Sequence, residues 1–202
     1  MSNLFNSLEG KYPFCFQTSM SGVSQPEIKQ NLVQDQTTPL GSCCDISQVN
    51  RKKCSTVALQ CIDFRLRDNM SCQLNSIGLQ NDYNAASAPG VSLAYNGNLP
   101  GYKDFDKYFD NIVKVSYALH EIHNIILVEH GNCGAYTVAY GNISSEQEKA
   151  KQLENINIAA NTLWKKFNPT NGTIQKIPNL TITGYRISIN GCDMPEIYSK
   201  TY

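Results

Sequence analysis

Two short stretches carry the side chains best suited to chemistry. Residues 57–65 read Val-Ala-Leu-Gln-Cys-Ile-Asp-Phe-Arg, and residues 125–135 read Ile-Ile-Leu-Val-Glu-His-Gly-Asn-Cys-Gly-Ala. His130 and Cys133 are separated by two residues, one of them Gly131, so a tight turn lets both side chains bite one ion. Cys61 supplies a distant third donor. Two thiolates and an imidazole suit zinc, and three protein donors leave a fourth position for water. The bland alternative is three packed core groups, because free Cys is among the most often buried residues.

These donors need elements that bring them together. Each stretch is a short apolar run of the kind that forms a buried strand, with its metal-capable side chains where the strand should end. Sites in open parallel sheets are built at those carboxyl ends. The first strand is expected over residues 55–62. A helix is expected over 65–77, ended by Gly78, and a second strand over 82–87 before the turn Ala88-Pro89-Gly90. Gly97, Pro100 and Gly101 mark a loop over 96–101.

Residues 104–122 form an amphipathic helix by spacing. Phe105, Tyr108, Phe109, Ile112, Val115, Leu119 and Ile122 recur along it, and the plain reading of this stripe is core packing. A strand over 124–129 and a short helix over 134–140 follow. A long helix over 144–167 has Ser144 and Gln147 spaced as a capping box. It should bury Leu153, Ile156, Ala160, Leu163 and Phe167. Residues 179–188 alternate as a strand, and Asn190-Gly191 favours a hairpin into a returning strand over 192–198, demoted to an edge by Pro195. Strands alternating with helices imply an α/β fold. Its mostly parallel central sheet is flanked by helices and closed by an antiparallel edge strand.

Composition narrows the class. The chain has 202 residues, 41% of them hydrophobic and 17% charged, with 17 basic and 17 acidic side chains. That suits one domain with a full core. A zero formal charge without a basic block argues against nucleic acid or an anionic membrane as partner. No apolar run approaches the roughly 20 residues that span a bilayer. The first residues lack a signal-peptide pattern. Eight cysteines in a chain of this length and type read as reduced thiols in a cytoplasmic protein. Residues 1–50 are rich in Ser, Gln and Asn. They are expected to be an arm packed on the domain or on a partner subunit, with a short helix over 26–33. Residues 51–202 are the metal-binding α/β domain.

Cys61-Ile62-Asp63-Phe64-Arg65 followed by His130-Gly131-Asn132-Cys133-Gly134 resembles the paired signature of the β-class carbonic anhydrases, Cys-x-Asp-x-Arg and then His-x-x-Cys-Gly. The resemblance runs from about residue 57 to residue 140. It implies zinc on Cys61, His130 and Cys133, with Asp63 and Arg65 as a catalytic pair beside the metal. It implies reversible hydration of carbon dioxide to bicarbonate, and a homodimer or higher even assembly. Arg65 would hold Asp63 off the metal, and Asp63 would accept a hydrogen bond that orients the attacking oxygen. Phe64 stands where family members usually carry a small hydroxyl residue. The segment Ser87-Ala88-Pro89-Gly90-Val91-Ser92 matches only loosely. Two alternatives therefore stay open: a zinc-stabilised binding protein of the same fold, or a hydrolase of another small electrophile such as carbonyl sulfide or carbon disulfide.

The remaining candidates have plainer readings. His120 and His123 lie at a helix end, where a cation complements the dipole. Cys43 and Cys44 read as incidental thiols, and Cys15, Cys54, Cys72 and Cys192 as small apolar fillers. Glu129 and Tyr136 flank the motif, and spacing alone leaves their role undecided.

Overall fold

The computed structural model describes residues 52–169, 176–187, 189 and 196–197. The expected arm, its helix, Cys15, Cys43, Cys44, Cys192 and the Asn190-Gly191 turn lie outside those residues. In chain order the elements are β1 (Thr56–Cys61), a 3-10 turn (Phe64–Leu66), α1 (Arg67–Ser76), β2 (Tyr83–Ala88), α2 (Val91–Tyr95) and α3 (Phe105–His120). Then come β3 (Asn124–His130), α4 (Gly134–Tyr140), α5 (Ser145–Phe167), β4 (Thr181–Ile187) and β5 (Glu196–Ile197).

The sheet order is β2-β1-β3-β4-β5. The first four strands run parallel, and β5 pairs antiparallel with β4 through Tyr185–Ile197 and Arg186–Glu196. This is the α/β arrangement that the alternation of elements implies. In β1 Val57, Ala58 and Leu59 are buried, as are all of Ile125 to His130 in β3. Continuous burial is what a strand covered on both faces requires. Right-handed crossovers put α1 on one face and α3 and α5 on the other. No helix among the described residues is long and apolar enough to cross a membrane.

Two expectations about helices need correction. The stripe on α3 is split. Phe109 and Val113 are fully buried, but Tyr108, Val115 and Leu119 are exposed. At 100° per residue these form two lines, and the core takes only one. The inner line includes Asp110, which accepts from Tyr95 Oη at 3.0 Å and from Lys166 Nζ at 2.6 Å. The second is α2, a helix where none was expected: its five residues form a wholly buried helical turn between the turn at 88–90 and the loop over 96–101. It is too short for a helical period to register.

The capping box of α5 forms as its spacing predicts: Ser144 accepts from the backbone of Gln147, and the Gln147 side chain returns the bond. Ile156, Ala160, Leu163 and Phe167 are buried, while Leu153 is half-buried. Glu148, Gln152 and Asn155 complete the inner face of α5.

Candidate metal centre

Parallel pairing sets the geometry. Gln60 of β1 stands opposite Val128 of β3, so both strands finish on the same side of the sheet. Cys61 is the last residue of β1 and His130 the last of β3. The chain then turns through Asn132, whose φ of 57° lies in the left-handed region that Asn tolerates. Cys133 follows as the residue preceding α4. Cys61, His130 and Cys133 are all buried, and one donor atom from each lies within 4.8 Å of the others. The structure thus brings together the three residues singled out by spacing.

The donor set fits a tetrahedral ion. The sulfurs of Cys61 and Cys133 are 3.8 Å apart. Two thiolates at about 2.3 Å from one zinc, at the tetrahedral angle, would be about 3.8 Å apart. His130 Nδ1 faces the Gly131 carbonyl at 2.9 Å, so Nδ1 carries the proton and donates it. That leaves the lone pair on Nε2, a buried atom with no hydrogen-bond partner. A buried polar atom without a partner is costly, and a cation would satisfy it.

Between themselves the two sulfurs share one proton. The contact with Cys133 draws the Cys61 thiol down to about 4 against the opposing effect of burial. The Cys61 sulfur pushes Cys133 up by the same interaction. Burial pulls the His130 imidazole down, but the facing Cys61 sulfur outweighs it and the net direction is up. A cation held between the two sulfurs would drive off any proton that remains on them. Gly90 adds a backbone N–H to Cys61 Sγ at 3.4 Å. Its φ is +48°, and a Cβ there would come within 2.9 Å of Ala135 Cβ, so glycine is required.

Asp63 and Arg65 stand at the rim. Asp63 Oδ1 accepts from Arg65 N at 3.0 Å and Nε at 2.9 Å, and Oδ2 accepts from Nη2 at 2.6 Å. This fork holds the Asp63 carboxyl down at about 2. Oδ2 lies 3.8 Å from His130 Nε2, yet Asp63 is not one of the three converging donors. A recess of about 130 Å³ opens beside Cys61 and Asp63, walled by Leu66, Met70, Tyr83 and Ser87. Ile62 and Phe64 are 52% and 75% exposed on either side of Asp63.

Glu129 proves to be an integral neighbour. Fully buried, it accepts from the Ser92 backbone at 2.9 Å, from the Ser92 hydroxyl, and from Tyr136 Oη at 3.3 Å. Burial raises its carboxyl to about 7. Glu148 and Gln152, which bond the backbone of the 130–133 turn, were missed, because a search for apolar periodicity passes over polar residues on an inner face. Their spacing of four is the signal that could have paired them. His120 and His123 do not join a metal group among the described residues: His120 Nδ1 is 2.7 Å from Asn84 Nδ2, and His123 is exposed. Cys54 and Cys72 are half-buried, and Cys54 Sγ donates to the Thr56 carbonyl at 3.6 Å.

No family model matches the chain. An uncharacterized protein of Rickettsia bellii (strain RML369-C) is 29% identical over 149 residues, covering 72% of this chain and 83% of that one. Another, from Rickettsia conorii (strain ATCC VR-613 / Malish 7), is 30% identical over 116 residues, which is 56% of this chain and 61% of the relative's length. Among solved structures, a tetrameric β-carbonic anhydrase of the filamentous ascomycete Sordaria macrospora is similar at 15% identity. The match covers 88% of this chain and 95% of that one, with a TM-score of 0.45.

Proposed function

We propose that the chain is a zinc-dependent lyase that hydrates carbon dioxide reversibly to bicarbonate, in the manner of the β-carbonic anhydrases that its two motifs resemble. The observation that carries this reading is the convergence of Cys61, His130 and Cys133, with an unpartnered Nε2, at the ends of neighbouring parallel strands. Zinc, when bound, supplies a water acidic enough to serve as nucleophile near neutral pH. The chain's own residues do the rest. Asp63 keeps an ionised acceptor beside His130 and orients the attacking water through a hydrogen bond. Arg65 restrains that carboxylate and sets a positive charge beside the bicarbonate as it forms. The recess holds several waters' volume, room enough for a triatomic substrate. The exposed Ile62 and Phe64 offer apolar surface suited to an uncharged one. A homodimer or higher even assembly belongs to the same reading.

Stopped-flow carbon dioxide hydration on protein of measured zinc content tests this directly. The expected result is turnover in proportion to bound zinc. Zinc-loaded protein that hydrates no carbon dioxide but consumes carbonyl sulfide or carbon disulfide would move the assignment to those substrates. Zinc-loaded protein inert to all three would make it a binding protein.

A further inference from the structure

We infer that α5 holds the 130–133 turn in its ligating shape independently of any ion, with Glu148 and Gln152 as positioning residues. The inference rests on the reading of His130 and Cys133 as metal ligands. An account of the turn's backbone groups supports it. His130 O accepts from Gln152 Nε2 at 2.7 Å, and Gly131 N donates to Ile187 O at 3.4 Å. Gly131 O accepts from His130 Nδ1. Asn132 N donates to Glu148 Oε2 at 2.9 Å, and Asn132 O accepts from Arg65 Nη2 at 2.8 Å. Cys133 N donates to Glu148 Oε1 at 2.6 Å, and Cys133 O accepts from Tyr136 N at 3.0 Å. Every backbone donor and acceptor from His130 O to Cys133 O is thus engaged.

Glu148 and Gln152 divide this work. The left-handed residue Asn132 turns two successive N–H groups toward one side, and the two oxygens of one carboxylate take one each. One helical turn later, Gln152 takes the carbonyl at the other end of the turn. Both side chains are buried, Gln152 completely. The amide of Gln152 cannot flip, because Arg186 Nε donates to its Oε1 at 3.0 Å and so leaves Nε2 for His130. Arg186 in turn lies against Gly131, where a Cβ would run into the guanidinium. None of these bonds uses His130 Nε2 or Cys133 Sγ. The turn is fastened through its backbone, and two of the three donors are left aimed at one point. Ordering them is then part of folding rather than a cost of binding, which raises affinity for the ion.

The test measures zinc affinity of the full chain by competition with a chromophoric chelator, alongside the thiolate-to-metal absorption of the cobalt(II) form. Glu148→Gln replaces one acceptor oxygen by a donor nitrogen at constant shape. Gln152→Glu keeps the acceptor for Arg186 but sets an oxygen against His130 O. Each should weaken zinc binding by about 10- to 100-fold and shift the cobalt bands. Asn161→Ala, on the exposed side of the same helix, should do neither. A purely structural role would lower the unfolding temperature of the apoprotein and leave the affinity of folded protein unchanged. Variants that fold and bind zinc as tightly as the wild type would overturn the inference. So would a Glu148→Gln apoprotein that cannot fold, since the residue would then serve the core. Wild-type protein that binds no zinc would instead overturn the metal reading beneath it.

Discussion

Replacing Arg65 by Ala removes two guanidinium donors from Asp63 and one from the Asn132 carbonyl. The backbone bond from residue 65 remains, so the net loss to Asp63 is the two guanidinium contacts. Their size is bounded by the carboxyl they hold, since the residue-65 backbone N–H and His130 also lower it. A fall from 3.8 to about 2 corresponds to about 2.5 kcal/mol in favour of the ionised form, at about 1.4 kcal/mol per pH unit. Solvent reaches this rim, with 21% of the Arg65 side chain and 15% of that of Asp63 exposed. Screening therefore reduces the stabilisation to about 1 kcal/mol. The folded value lies below the ordinary one, so this stabilisation is complete above about pH 4 and lost as pH falls toward 2. Denaturant melts of wild type and Arg65→Ala should differ by that amount at neutral pH and converge in acid. Function should suffer more than stability, because the freed carboxylate lies 3.8 Å from His130 Nε2 and could swing onto the ion that the proposed function places on those donors. Hydration of carbon dioxide against pH, with zinc measured in each protein, should give a variant of full zinc content whose rate is depressed and whose activity at alkaline pH no longer follows the wild type. Equal rates and equal profiles for the two proteins would refute the reasoning.

Cys133→Ala should lose tightly bound zinc, since it removes one of three donors; full zinc occupancy by metal analysis would contradict the ligand set. Glu129→Gln should gain stability relative to wild type as pH rises from about 4.5 to about 7, at up to about 1.4 kcal/mol per pH unit, because the raised folded value means that wild type loses stability across that window. Thermal melts across the window read the difference, and parallel curves would show that Glu129 is not titrating there. Leu127→Ala, at a fully buried position in β3, should cost about 2–5 kcal/mol in denaturant melts by opening a cavity, and a loss below 1 kcal/mol would mean that the sheet is looser than described. Sedimentation at micromolar concentration should give a dimer or a higher even assembly, and a monomer would contradict the assembly proposed with the function.

The legible parts of the chain were those that repeat a period or complete a motif. β1 and β3 announced themselves as apolar runs ending in Cys61 and His130, and the capping box at Ser144 placed the start of α5. His130 and Cys133 could be paired from spacing, and Cys61 joined them through the resemblance of the two motifs to a known signature. What stayed hidden depends on partners distant in sequence. Glu129 follows Ile125–Val128 as if it were the polar end of a strand, and only the placement of Ser92 at the start of α2 explains how it can be buried. Glu148 and Gln152 look like ordinary surface residues of a helix until the 130–133 turn is packed against them. On α3 the sequence offers two apolar lines, and nothing local says that Val115 and Leu119 lie on the outer one.

Cys61 and Cys133 meet across 72 positions of chain: Cys61 ends β1, Cys133 follows the end of β3 by three residues, and β2 and α3 lie between those two strands in the chain. An unfolded chain presents His130 and Cys133 as a local pair but has no third donor within reach. A cation that needs all three therefore discriminates between the completed topology and everything that precedes it. Its binding free energy enters the folding equilibrium almost whole, growing as RT ln(1 + [ion]/Kd). At a free-ion level one hundred times Kd that is about 2.7 kcal/mol, a sizeable share of the 5–15 kcal/mol by which domains of this size are held together. Chelation would then act on the lifetime of the fold as well as on its chemistry, and metal supply would set how much of the chain survives as native protein.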